Sequence, residues 1–143
     1  MAQEVARREQ ALASVPLFAS IPKRHLRSIA KLAAVPTFEP HAVIVKEGSS
    51  GSLFFAILEG TAKVIKGGKV IGRLKPGDYF GEISLLDPGP RTATVVAAER
   101  VTCLNLAGAD FRAILTREPK LAMDIMRTLA QRIRPTLPSK VSA

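Results

Sequence analysis

The segment Gly77–Val95, GDYFGEISLLDPGPRTATV, combines charged residues, apolar residues and a Pro-Gly-Pro turn. It places Glu82 and Arg91 nine positions apart, each beside residues typical of a protein core. An isolated charge in an apolar environment is costly, so both side chains need polar partners. Two alternatives follow: an internal Glu82–Arg91 ion pair that fixes the DPGP loop, or a ligand that supplies a partner to each residue.

Short apolar runs surround this segment and are separated by turns rich in glycine and proline. Many short strands with such turns are typical of an antiparallel roll or barrel. Gly67-Gly68, which lies between two β-branched pairs, indicates a hairpin turn. The predicted strands are Thr37–Phe38, Ala42–Lys46, Leu53–Glu59, Thr61–Ile65, Lys69–Leu74, Tyr79–Phe80, Thr92–Ala97 and Val101–Leu106.

Helix-forming sequences flank the strands on both sides. Gln3–Ala13 is rich in good helix formers, and Pro22–Ala34 is amphipathic with a basic outer face. A short helix follows the strands and reaches Leu115, either capped by Asp110 or preceded by Gly108. The last helix, Pro119–Ile133, carries an apolar stripe. The predicted fold class is therefore α+β: an antiparallel β-roll, jelly-roll-like with about eight strands, flanked by N-terminal and C-terminal helices.

Composition narrows the classes of protein that the chain can represent. The 143 residues are 47% hydrophobic, which is globular composition, and no apolar run approaches the ~20 residues of a membrane span. The N-terminus is charged and lacks the apolar core of a signal peptide. Cys103 is the single cysteine, so a disulfide within the chain is impossible and a cytoplasmic location is expected. The net charge of +9 favours anionic partners.

The quoted segment resembles the phosphate-binding cassette of cyclic nucleotide-binding domains, in which Gly-Glu and two leucines precede an arginine and Ala-Thr-Val. The resemblance extends from Leu12 to Ile133. VPLFASIPKRHLRSIAKLA is similar to the family's N-terminal helical bundle, and FEPHAVIVKEGSSGSLFFAILEGTAKV is similar to its early strands. His41 stands where the family often has a turn glycine, and histidine tolerates such geometry better than a branched residue. The implied organisation is an N-terminal helical extension at 1–11, a cyclic nucleotide-binding domain at 12–134 and a flexible tail at 135–143.

The resemblance also implies roles for individual residues. Glu82 would accept a hydrogen bond from a ribose 2′-hydroxyl, Arg91 would place its forked guanidinium on the phosphate, and the N–H of Ser84 would point at the same phosphate. Apolar residues and Gly72 would form the base and sugar pocket. The complete set of implied ligand-binding residues is Gly81, Glu82, Ile83, Ser84, Arg91, Thr92, Val64, Ile71, Gly72, Leu74 and Val95.

The expected function is that of a cyclic nucleotide sensor, not an enzyme. Thr92 follows the arginine of the motif. In similar domains a threonine at this position accompanies cGMP in some members and cAMP in bacterial members, and we expect cAMP here. Binding would move the C-terminal helix and so act on an effector protein or output domain outside this chain. The two histidines, His25 and His41, do not have metal-ligand spacing, so no metal is expected. The alternative is a nucleotide-independent interaction module that uses its basic surface on nucleic acid or an acidic protein, although direct nucleic-acid binding is disfavoured by the intact cassette.

Overall fold

The computed structural model describes residues 2–19 and 21–138 and contains, within them, four α-helices and ten short strands. The last residues of the predicted tail, 139–143, lie outside the described residues. The helices are α1 (Ala2–Ala13), α2 (Lys23–Leu32), α3 (Gly108–Arg117) and α4 (Pro119–Ile133), with 3-10 turns at Ile83–Leu85 and Arg134–Thr136. The strands are β1 (Thr37–Phe38), β2 (Val43–Val45), β3 (Ser50–Gly51), β4 (Leu53–Glu59), β5 (Ala62–Lys66), β6 (Lys69–Leu74), β7 (Tyr79–Phe80), β8 (Gly89–Pro90), β9 (Thr94–Ala97) and β10 (Val101–Ala107).

The strands pair antiparallel in two four-stranded sheets and one small ribbon. One sheet has the order β1-β10-β4-β7 and the other β2-β9-β5-β6, while β3 pairs with β8. Helices precede and follow this roll along the chain, which confirms the predicted fold class. Each predicted strand is present with ends shifted by at most two residues, whereas β3 and β8 were not predicted.

Two apolar clusters hold the roll and the helices together. In the larger cluster, Phe18 packs edge-on against Phe54 of β4 and Phe111 of α3, with ring centroids 5.7 and 5.5 Å apart. This contact joins the segment between α1 and α2 to the first sheet and to α3. In the smaller cluster, which fills the roll, Phe55 stacks on Phe80 at 4.9 Å. The segment between β7 and β8 therefore starts from a fixed position.

Local backbone geometry agrees with most turn predictions. Gly67 and Gly68 both have positive φ, 58° and 80°, which confirms the hairpin between β5 and β6. His41 has φ 72° and is the non-glycine residue with positive φ in the described part of the chain. The helix α3 begins at Gly108 itself and ends at Arg117, so Gly108 does not precede the helix and Asp110 lies in its first turn. Both predicted starts, the Asp110 cap and a Gly108 before the helix, are therefore wrong.

Cys103 is fully buried in the smaller cluster. Desolvation raises the pKa of its thiol to about 11, so little thiolate forms at neutral pH. This fits an inert core residue. Among residues 2–19 and 21–138, no helix combines the length and the apolar character that a membrane crossing requires.

Candidate functional site

A cavity of about 410 Å³ opens between the second sheet and the segment that follows β7. It collects all the predicted ligand-binding residues except Ile71 and Gly72. Its wall on the sheet side is apolar, and its opposite wall is the Gly81–Arg91 segment. The lining residues are Val45, Val64, Leu74, Phe80, Gly81, Glu82, Ile83, Ser84, Asp87, Gly89, Pro90, Arg91, Thr92, Ala93 and Val95.

Two glycines create the space that the Arg91 side chain occupies. A Cβ atom at Gly51 would lie 2.9 Å from Arg91 Nε, and a Cβ atom at Gly81 would lie 2.8 Å from Arg91 Nη1. The guanidinium donates hydrogen bonds from Nη2 to the Leu53 carbonyl at 2.6 Å and from Nη1 to Ser84 Oγ at 3.4 Å. The side chain is thus held at the cavity wall by groups that carry no charge.

Arg91 has no anionic partner in the described part of the chain, where no carboxylate lies within 4.0 Å of it. Partial burial lowers the pKa of Arg91 by desolvation, although an arginine stays protonated near neutral pH. The internal Glu82–Arg91 ion pair, one of the two alternatives from the sequence, is absent. A cation without a counter-charge therefore faces the cavity and can attract an anion.

Glu82 pairs with the C-terminal helix instead. Its Oε1 lies 3.6 Å from Arg132 Nη2 on α4, and the Glu82 side chain is 17% exposed. The carboxylate also lines the cavity, so it can accept a hydrogen bond from a ligand hydroxyl. One residue thereby links the cavity to the helix.

The comparison with known families identifies the domain in which this cavity lies. The family model described as "Cyclic nucleotide-binding domain" matches residues 35–118, more than half of the chain. The chain belongs to the cyclic nucleotide-binding domain family. Members of this family are regulatory domains with a β-roll fold, the fold described above.

Individual proteins support the assignment. Over 71% of its length, the chain is 40% identical to a cGMP-dependent protein kinase of Toxoplasma gondii, of which it covers 10%. The N-terminal domain of a transcriptional regulator from Streptomyces coelicolor aligns with a TM-score of 0.82 and 30% identity, over 88% of this chain and 94% of that one. A cAMP-bound PfPKA-R structure aligns with a TM-score of 0.69 and 28% identity, over 91% and 48%. The chain spans between 10% and 36% of the length of four curated relatives that it matches.

Ser84 in this cyclic nucleotide-binding domain lies in the 3-10 turn. Its backbone N–H donates to the Gly81 carbonyl at 3.1 Å and closes the 3-10 turn. This N–H is therefore engaged within the turn in this structure, and its contact with a phosphate stays a prediction. Ser84 Oγ, which faces Arg91, is the polar group that the residue presents to the site.

Ile71 and Gly72 do not line the cavity. Ile71 is 60% exposed, and a Cβ atom at Gly72 would meet nothing within 4 Å. Both residues lie on β6, the edge strand of its sheet, and the pairing of β5 with β6 shifts register at a bulge between Val64 and Ile65. Ile71 lies three positions before Leu74, which lines the cavity, so strand alternation directs the Ile71 side chain to the other face. Val64 lines the cavity, and its register neighbour Val95 does too.

Gly51 is the residue beside Arg91 that sequence reasoning missed. It lies in the EGSSGS segment, which reads only as a turn, and its importance comes from the pairing of β3 with β8 next to Arg91. The distance along the chain between Gly51 and Arg91 hides this contact from any local pattern. In the described residues, no group of three or more His, Cys, Asp or Glu side chains is arranged to hold a metal ion.

We expect Gly51→Ala to weaken cyclic nucleotide binding roughly 10-fold, about the effect of one charge-assisted hydrogen bond. The new methyl group would displace the flexible Arg91 side chain, while Gly51 has no positive φ that would add backbone strain. The free energy of unfolding should change by no more than about 0.5 kcal/mol. Binding is measured by calorimetry and stability by urea denaturation. Gly72→Ala, which adds the same methyl group in open space, is the matched control; equal affinity loss in both variants would contradict the role of Gly51.

Proposed function

We propose that the cavity beside Arg91 binds a cyclic mononucleotide, with cAMP preferred over cGMP, and that binding acts on the contact between Glu82 and α4. The observation that carries the proposal is the Arg91 guanidinium, which lies at the cavity wall without a carboxylate partner among the described residues. The proposed ligand residues are those predicted residues that line the cavity.

The cyclic phosphate would occupy the space in front of Arg91. A guanidinium donates two parallel hydrogen bonds to phosphate oxygens, which an ammonium group cannot do. Ser84 Oγ lies beside Arg91 Nη1 and would add a donor. The apolar side chains of Val64, Leu74 and Val95 would cover the nucleotide and lower the local dielectric constant, which strengthens these contacts.

The ribose would face Glu82. A carboxylate accepts hydrogen bonds and donates none, so it suits the 2′-hydroxyl of the sugar. Thr92 is exposed at the edge of the cavity and would contact the base. Support for nucleotide binding comes from both a cAMP-bound structural neighbour and a cGMP-dependent kinase relative. The preference for cAMP rests on the interpretation that threonine after the arginine accompanies cAMP in bacterial domains of this kind.

A competition experiment tests the ligand class and the base preference together. Displacement of a fluorescent cyclic nucleotide would be measured with cAMP, cGMP, 2′-deoxy-cAMP and 5′-AMP. We expect the order cAMP, then cGMP, with 5′-AMP far weaker because its phosphate is not the cyclic diester. A weaker affinity for 2′-deoxy-cAMP supports the Glu82 contact. Equal competition by 5′-AMP would contradict a site for the cyclic diester.

The proposed coupling to α4 is supported by contacts of the cavity segment with both C-terminal helices. Arg132 of α4 lies at the carboxylate that the ribose would use, so nucleotide and helix would compete for Glu82. The adjacent Leu85 is fully buried in the larger cluster, and its carbonyl accepts a hydrogen bond from Arg112 of α3 at 2.9 Å. A shift of the 3-10 turn would therefore change its contacts with α3 and α4. Binding biases this equilibrium only through its different affinity for the two helix positions.

We expect Arg132→Gln to tighten nucleotide binding about 1.4- to 5-fold, because it removes a competitor whose ion pair with Glu82 is worth ~0.2–1 kcal/mol. Titration calorimetry measures the change. Arg127→Gln is the matched control, since it removes the same charge from α4 but breaks only the contact with Asp124 at 3.2 Å. Hydrogen exchange across Pro119–Ile133 should also increase on binding in the unmodified domain. Unchanged or weaker binding by Arg132→Gln would contradict competition for Glu82.

A further domain or an effector protein would receive this signal. One longer relative that contains a similar domain is a cGMP-dependent protein kinase, and the matched region is 10% of that protein. For this chain, the proposed movement of α4 would be the signal that such a domain or effector protein receives.

A further inference from the structure

The hairpin formed by β5 and β6 carries an unusual arrangement of charge. In its register, Lys63 lies opposite Arg73 and Lys66 lies opposite Lys69. Like charges placed directly opposite each other on neighbouring strands destabilise a sheet. Residues 60–75 contain five basic residues and no acidic ones. The hairpin therefore concentrates positive charge at a cost to its own stability.

These basic side chains have no partner in the described part of the protein. None of Lys63, Lys66, Lys69 and Arg73 forms a side-chain hydrogen bond or ion pair there. The carboxylate that contacts the hairpin, Glu47, accepts the Gly67 N–H at 3.1 Å and so fixes the turn. The turn is held in place while its cations are free.

Exposed aliphatic side chains lie among these cations. Val70 is 51% exposed and Ile71 is 60% exposed, and neither lines the cavity. They stand in β6 between Lys69 and Arg73. A basic surface with aliphatic side chains at its centre combines the two terms that hold proteins on anionic bilayers, which are charge attraction and shallow apolar insertion.

Two simpler explanations account for only part of this pattern. Lysines on an edge strand prevent pairing with other sheets, but exposed Val70 and Ile71 work against that protection. A nucleic-acid surface would use the cations and would gain from aromatic stacking, yet residues 60–75 contain no aromatic residue and the aliphatic pair would be unused. An anionic lipid surface would contact both the cations and the aliphatic pair.

We propose that the β5–β6 hairpin docks on anionic phospholipid, with Val70 and Ile71 entering the headgroup region and with Lys63 and Arg73, on the face away from the cavity, contacting lipid phosphates. Lys63 and Arg73 neighbour Val64 and Leu74, which line the cavity from the other face of the sheet. Docking therefore leaves the nucleotide site open. This inference is independent of the ligand proposed for the cavity.

Co-sedimentation with phosphatidylcholine vesicles that contain phosphatidylserine tests this surface. Lys63→Ala/Arg73→Ala should weaken binding roughly 25-fold, since each cation near such a surface contributes about five-fold. Val70→Ser/Ile71→Ser should weaken it about 10-fold. Lys23→Ala/Lys31→Ala on α2 is the matched control, because it removes two exposed cations elsewhere and should have a small effect. Thermal unfolding checks that each variant folds, and removal of the like-charge pair should not lower the Tm.

Three results would overturn the proposal. Equal losses in the hairpin and α2 variants would mean that only net charge matters. Absence of binding to the anionic vesicles would exclude the surface as a lipid site. Unchanged vesicle binding by Val70→Ser/Ile71→Ser, together with hairpin-dependent binding of a single-stranded oligonucleotide, would assign the cations to nucleic acid instead.

Discussion

Arg91→Ala is expected to weaken cyclic nucleotide binding roughly 10- to 150-fold, because hydrogen bonds to a charged group contribute ~1.5–3 kcal/mol. In this structure the guanidinium faces the cavity without a carboxylate partner among the described residues, so its removal takes away the charge that would face the phosphate. Titration calorimetry with cAMP measures the loss. Full affinity in Arg91→Ala would show that the phosphate binds elsewhere.

Arg91→Lys separates charge from geometry. Lysine keeps the positive charge but cannot reproduce the forked pair of hydrogen bonds, so intermediate affinity is expected. Urea unfolding of both variants provides the control for folding. Arg91 also donates to the Leu53 carbonyl at 2.6 Å, so a modest loss of stability of about 1 kcal/mol is expected in Arg91→Ala. If the affinity loss in Arg91→Ala is explained by a larger unfolded fraction, it does not support a contact between Arg91 and the ligand.

Gly81→Ala is expected to lower both stability and affinity. Gly81 has φ 81°, which costs a non-glycine residue ~1–3 kcal/mol when the backbone keeps that conformation. The new Cβ would also lie 2.7 Å from the Leu53 carbonyl, a backbone atom that cannot rotate away, and 2.8 Å from Arg91 Nη1. The free energy of unfolding, measured in urea, should therefore fall by about 2–4 kcal/mol. Nucleotide affinity should fall as the Arg91 site is displaced.

Gly77→Ala is the matched control for this change. Gly77 has a similar positive φ, 96°, but a Cβ atom there would meet nothing within 4 Å. It should lose stability through backbone strain alone and keep its affinity. Equal loss of stability in the two variants, with affinity preserved in both, would contradict the close packing of Gly81 against Arg91.

Much of the fold follows from local sequence signals. Gly67-Gly68 between β-branched residues predicted the hairpin, and the structure places both glycines at positive φ. Proline at the start of α4 and its apolar stripe gave the observed bounds, Pro119–Ile133. The pair β3 and β8 could not be predicted, because two-residue strands have no periodicity and their pairing joins segments far apart in the sequence.

The candidate site was predicted only in part, because some of its contacts also join segments that are far apart in the sequence. Arg91 and Glu82 come from a contiguous motif, and both line the cavity. Glu82 nevertheless pairs with Arg132, fifty positions away, and such a contact depends on how α4 packs. Ile71 was wrongly assigned to the cavity: it lies three positions before Leu74, which lines the cavity, so strand alternation directs the Ile71 side chain to the other face of β6.

Crystals grown with excess cAMP or cGMP test the central claim most directly, which is that the Arg91 guanidinium and the Glu82 carboxylate bind a cyclic nucleotide in this cavity. We expect density for a nucleotide whose cyclic phosphate lies within hydrogen-bond distance of both Nη atoms of Arg91 and whose ribose 2′-hydroxyl donates to Glu82. A guanidinium turned to solvent, with the cavity filled by the protein's own side chains at saturating nucleotide, would contradict the account.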